Sequence, residues 1–133
     1  ERTERENTMK YQIWQIVLTD EQIEEANTPG TDMPEFFKKY CRTNVMPDAS
    51  AIYDAIDMYE HVANIEVDVE GLNTVFHVGN MGPEKSIERL LPGGKQMHSI
   101  SVGDIIIDEA GNVNYVDSMG FGQLFTKHFQ EAA

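Results

Sequence analysis

Hydrophobic and polar residues recur along this chain with two different periods, and each change of period marks an element. Residues 11–18, Tyr11-Gln12-Ile13-Trp14-Gln15-Ile16-Val17-Leu18, place Trp14, Ile16 and Leu18 on one face and Tyr11, Ile13 and Val17 on the other. Apolar groups on both faces predict a central strand. Thr19 then precedes Asp20, Glu21 and Gln22 at capping-box spacing, and Asn27-Thr28-Pro29-Gly30 ends the helix that follows. Pro34 opens a second helix over 35–42 with Phe36, Phe37, Tyr40 and Cys41 on its apolar face. Asp48 or Ser50 caps a third, which carries Ile52, Tyr53 and Ile56 and can extend to Tyr59. From Ala63 the period becomes two: Ala63, Ile65, Val67 and Val69 alternate with Asn64, Glu66, Asp68 and Glu70, the clearest half-buried strand in the chain. Leu72, Val75, Phe76 and Gly79 return to helical spacing, Asn80-Met81-Gly82-Pro83 breaks into a short helix over 84–91, and Pro92-Gly93-Gly94 is a loop.

The run Met97-His98-Ser99-Ile100-Ser101-Val102-Gly103-Asp104-Ile105-Ile106-Ile107 reads as a strand, Asp108-Glu109-Ala110-Gly111-Asn112 as a tight turn, and Val113-Asn114-Tyr115-Val116 as the returning strand. Gly103 fits a bulge or a close backbone approach, and Phe121 fits a core anchor. Residues 123–129 suit either an edge strand or a terminal helix. The expected fold is a single α+β domain over 9–133, with a mixed or antiparallel sheet of about four strands and short helices packed on it. A polar arm over 1–8 precedes it, and the hairpin at 97–121 is its structural centre.

Composition narrows the function classes. With 133 residues, 41% of them apolar, and six Phe, five Tyr and one Trp, the chain can bury a core without a disulfide or metal staple. The single Cys41 cannot form an intramolecular disulfide and reads as a buried thiol. No apolar run approaches the roughly 20 residues of a membrane span, and residues 1–8 lack an apolar signal core, so the expected address is the cytoplasm, with no membrane partner. The formal charge of −13 repels a phosphate backbone and argues against direct nucleic-acid binding. The same charge offers an acidic surface to a basic partner.

Candidate chemistry is sparse. His61, His77, His98 and His128 lie in separate elements, and none has a second His or Cys at ligand spacing, so no metal is expected. Gly93-Gly94-Lys95 lacks the remainder of a phosphate loop, and Gly120-Phe121-Gly122 lacks the third glycine of a dinucleotide fingerprint, so both read as turns and no cofactor is expected. Ser99, Ser101 and Ser118 are outside any nucleophile elbow, and no catalytic residue is assigned. Asp104 and Asp117 could face each other across the hairpin as an acid pair, although an Asp beside a turn commonly bonds turn amides instead. A ligand pocket, if the chain has one, is expected around His98, Asp104, Tyr115 and Asp117.

His98-Ser99-Ile100-Ser101-Val102-Gly103-Asp104-Ile105-Ile106, with Tyr115-Val116-Asp117-Ser118-Met119-Gly120-Phe121, resembles the HSLSVSDVI…YYVDSFGF signature of YodL-like domains, found in small proteins of bacteria, phages and mobile elements. The match departs at Gly103, where the family often has Ser, and at Met119, where Phe or Ile is common. The resemblance implies a phage or mobile-element accessory protein in a bacterial host cell and transfers no site. The expected function is non-enzymatic protein–protein interaction with a host or phage protein, basic where it meets the acidic surface, together with self-association as a homodimer through the N-terminal arm or an edge strand. The alternative is a small ligand-binding domain or enzyme with its pocket around the 97–121 hairpin.

Overall fold

A strand with Tyr11 and Ile13 on one side and Trp14 and Ile16 on the other is stable only if both sides are covered, and this one is covered on both. The computed structural model describes residues 8–28, 30, 32–68, 70–92 and 97–129. The expected arm over 1–8, apart from Thr8, and the Gly93-Gly94-Lys95 turn lie outside the described residues, as does Val69. The elements run β1 (Met9–Ile16), α1 (Asp20–Asn27), α2 (Glu35–Val45), α3 (Ala49–Asp54), β2 (Tyr59–Val67), α4 (Leu72–Met81), β3 (Ile87–Arg89), β4 (Ile105–Ile107), β5 (Val113–Val116) and β6 (Phe121–Leu124). The described residues form an α+β unit whose strands make an antiparallel sheet in the order β3-β2-β1-β4-β5-β6. None of the described helices is long and apolar enough to cross a membrane.

One face of the sheet packs Tyr11, Ile13, Val62, Ile65 and Ile106 against Val75 and Val78 of α4 and against Met97 and Ile100 of the following loop. The other packs Trp14, Ile16, Tyr59, Ile105 and Leu124 against Ile52 and Ala55 around α3 and against Phe129. The local signals act as their chemistry predicts. Thr19 and Gln22 close a reciprocal capping box on α1, and Asp48 caps α3 by accepting from the Ala51 N–H at 2.8 Å.

The expected sheet of about four strands is two strands too small. β3 lies inside the span expected to be helix over 84–91, where a single 3-10 turn at Glu84–Ser86 gives way to three extended residues, too few to carry a period. β6 starts at Phe121, ahead of the ambiguous 123–129 segment. β2 begins at Tyr59, four residues before the alternation that announced it, because the pairing with β1 slips by one residue after Ile13↔Ala63 and leaves Val62 as an extra residue. A bulge of this kind inverts the phase of alternation, so Tyr59 lies on the α3 side while Ala63, Ile65 and Val67 lie on the α4 side.

The hairpin is also shorter than expected. Only Ile105–Ile107 of the 97–107 run is strand. The chain turns at 101–104, where the Asp104 N–H donates to Ser101 O at 3.1 Å and Gly103 adopts φ 91°. A side chain at Gly103 would place its Cβ 2.7 Å from Thr43 O, so α2 and this turn approach as closely as only glycine permits.

Candidate functional site

Gln15 is the polar residue of a strand that is otherwise apolar on its buried positions, and it is 1% exposed. Such a side chain needs partners, and it finds them in the loop laid over the end of β1. Its Nε2 donates to the Asp104 Oδ2 at 2.9 Å and to the His98 carbonyl at 3.0 Å. The Ser101 N–H donates to the same Asp104 oxygen at 2.9 Å. His98 Nδ1 lies 2.8 Å from Ser99 O, which can only accept, so Nδ1 carries a proton and donates there. The 3.2 Å approach of Gln15 Nε2 to that nitrogen is then a contact between two donors and not a bond.

Asp104 is 5% exposed, and burial pushes its carboxyl up to about 6; the nearby His98 ring, the Ser101 N–H and the Gln15 amide pull the other way without reversing the shift. His98 Nδ1 stands 3.9 Å from Asp104 Oδ2. The Tyr59 hydroxyl, buried under the same turn, donates to Gly103 O, and its ionisation is pushed up by burial and then by the Asp104 charge. Both hydrogen bonds to the Asp104 carboxylate from the described residues fall on Oδ2. The carboxylate lines a cavity of about 430 Å³ between the turn and α2, whose other walls include Tyr40, Thr43, Asn44 and His98.

Of the residues expected around a pocket, the structure brings together His98 and Asp104 only. Tyr115 sits on the opposite face of the hairpin beside the α3-side core, with its ring across Gly122: a Cβ added there would meet the ring at 2.3 Å. Asp117 lies past the end of β5, where its Oδ1 accepts from the Met119 N–H at 2.7 Å and its own N–H donates to Gly120 O. Asp104 and Asp117 therefore bond to different turns and do not share a partner, which is the turn-amide role open to each from the start. Gln15, Thr43 and Tyr59 join the site without having been singled out. Only Gln15 carried a signal, as an amide on an inward-facing position between Trp14 and Ile16.

A second cavity, of about 500 Å³, opens on the α3 side of the sheet, where Lys10, Gln12, His61, Asn64 and Asp108 contribute polar groups above Phe129. The His61 ring stacks on Trp14 at 5.2 Å and 8°, with its Nε2 2.8 Å from Asn64 Oδ1. Among the described residues no cluster of three His, Cys, Asp or Glu side chains is placed to hold a metal ion.

The two edges of the sheet differ. β3 is three residues long, carries Glu88 and Arg89, and lies between Pro83 and Pro92. β6, Phe121-Gly122-Gln123-Leu124, has no charge and no proline. It is flanked by Met119 and Phe125, which at 93% and 82% are the most exposed large hydrophobics among the described residues. The Asp117 N–H to Gly120 O bond fixes the bonding phase of the β5–β6 ladder, so Tyr115↔Gly122 and Val113↔Leu124 are bonded pairs. The N–H and C=O of Phe121 and Gln123 then point outward from the open edge. Comparison with known proteins gives no match to a family model, a curated protein or a solved structure.

Proposed function

We propose that this chain is a non-enzymatic protein–protein interaction module that receives a strand along the open edge of β6. The observation that carries this reading is the contrast between the sheet edges. β3 has the charge and flanking prolines that keep edges from pairing, whereas β6, nearly as short at four residues, has neither and is bordered by exposed Met119 and Phe125. Strand addition takes its affinity from the outward N–H and C=O groups and its selectivity from the side chains at either end. The −13 charge favours a basic host or phage protein as partner and disfavours direct contact with nucleic acid. The phage or mobile-element setting, in the cytoplasm of a bacterial host, rests on the resemblance of the 98–106 and 115–121 segments to YodL-like domains.

The test is a strand-blocking substitution. Gln123→Pro removes an N–H that the sheet does not use and puts a ring on the open edge. Tagged wild-type and variant chains are recovered from host cells and their bound proteins compared. A partner retained by the wild type and lost from Gln123→Pro is the expected result; identical sets overturn the reading.

A second reading, a small-ligand pocket, is favoured by the 430 Å³ cavity against the buried Asp104 carboxylate. Against it, Gln15 and Ser101 both bond that carboxylate in a way that holds the 97–104 loop to the sheet, a bracing role sufficient in itself. A ligand that raises the melting temperature of the wild type but not of Asp104→Asn would favour the pocket.

A further inference from the structure

We infer that the strand received by β6 is β6 of a second copy of this chain, paired antiparallel about a twofold axis at Gly122. The inference rests on the strand-addition reading and names its occupant. Antiparallel pairing needs outward-facing residues opposite one another, which restricts a symmetric arrangement to axes at Phe121, Gly122 or Gln123. An axis at Gln123 sets Phe121 against Phe125, whose N–H and C=O are already bonded to the Tyr53 hydroxyl at 3.1 and 3.2 Å. An axis at Phe121 sets Gln123 against Met119, whose N–H is held by Asp117. The axis at Gly122 pairs Phe121 with Gln123 of the second copy, and Gln123 with its Phe121, and so draws only on backbone groups that the fold leaves open.

The side chains complement themselves in the same register. Met119 at the hairpin tip and Phe125 just past β6 are the two most exposed large hydrophobics, and antiparallel pairing about this axis brings the tip of each copy to the end of β6 at which Phe125 of the other lies. Residues 118–129 contain no acid, so two chains of net charge −13 meet there along a segment that adds no negative charge of its own.

The experiment measures the mass of the full chain by light scattering at high micromolar concentration, for the wild type and for Gln123→Pro. The expected result is twice 15.1 kDa for the wild type and 15.1 kDa for the variant, with the melting temperature of the folded unit preserved. Should Gln123→Pro melt early, Gln123→Lys, which charges the edge as β3 is charged, takes its place. Register is read in a Cys41→Ala background: an equimolar mixture of Phe121→Cys and Gln123→Cys chains forms the mixed disulfide well beyond the two-to-one excess over either symmetric one that random pairing gives. A monomeric wild type or a dimer indifferent to both substitutions at Gln123 overturns the second copy as occupant, and a mixed disulfide no more abundant than random pairing gives overturns the axis at Gly122. If the wild type is monomeric yet loses a captured partner on substitution of Gln123, strand addition stands with a different protein as the guest; if neither mass nor capture responds, both fail.

Discussion

Asp104 holds its proton more tightly in the fold than in the open chain, and the sign of the consequence follows directly. Its carboxyl titrates near 6 when buried and near 3.9 when unfolded, so between those values the native state binds the extra proton. The stability this group contributes is therefore complete below about pH 4 and is lost as the pH rises through 6, by an amount on the order of 3 kcal/mol. Asp104→Asn keeps an oxygen for the Ser101 N–H and cannot ionise. Urea titrations at pH 5 and pH 7 are expected to show the wild type weakening relative to the variant at the higher pH; parallel behaviour would show the carboxylate to be fully compensated. Aromatic anchors separate in a similar way. Phe129, 1% exposed and edge-on to Trp14 at 5.0 Å, is expected to cost about 3–5 kcal/mol when replaced by Ala. Phe121, expected from the sequence to be the anchor, is only half-buried beside Phe76, and its replacement by Ala is expected to cost about 2 kcal/mol, with urea midpoints giving the order of the two. The sequence set His98 and Asp104 on one run as candidates for a pocket, but that run reads as continuous strand and not as the turn that brings them together. It did not show Gln15 as their common partner, because a contact between residues 15 and 104 has no local signature.

At the scale of elements, the legible parts of the chain were those with a long, unbroken period or a cap. β1 with its two apolar faces, the Thr19 capping box, the Asp48 cap and α4 all formed as their residues predict. The parts that escaped have specific physical reasons. The bulge at Val62 hid the first half of β2 by reversing its phase, β3 is too short for any period, and the turn through Gly103 cut short a run of residues that is β-rich throughout. The same turn gives a test of how tightly α2 is tied to the sheet. Gly103→Ala forces a side chain into φ 91° and against Thr43 O, and is expected to lower stability by about 1–3 kcal/mol with the sheet intact by circular dichroism. An unchanged melting temperature would mean that α2 can move away from the turn freely.

Across the whole molecule, the net charge of −13 acts against self-association, so the proposed dimer is expected to be sensitive to salt. The screening length falls from about 30 Å at 0.01 M to about 8 Å at 0.15 M, so repulsion between two chains of −13 relaxes while the short-range contacts of the strand remain. The proposed dimer is expected to tighten as salt is raised over that range, measured by sedimentation; loosening would mean that attraction between opposite charges across the pairing dominates. Mobility-shift titration at low salt is expected to show no nucleic-acid complex, because the chain has few cations to release counterions from a phosphate backbone. The guarded edge at β3 has a further effect on how far such pairing can go. A sheet open on both sides would recruit copies without limit and grow into a filament, whereas Glu88, Arg89 and the neighbouring prolines leave this one a single place to grow from, so that the proposed pairing would be finite and exhausted once two chains had met.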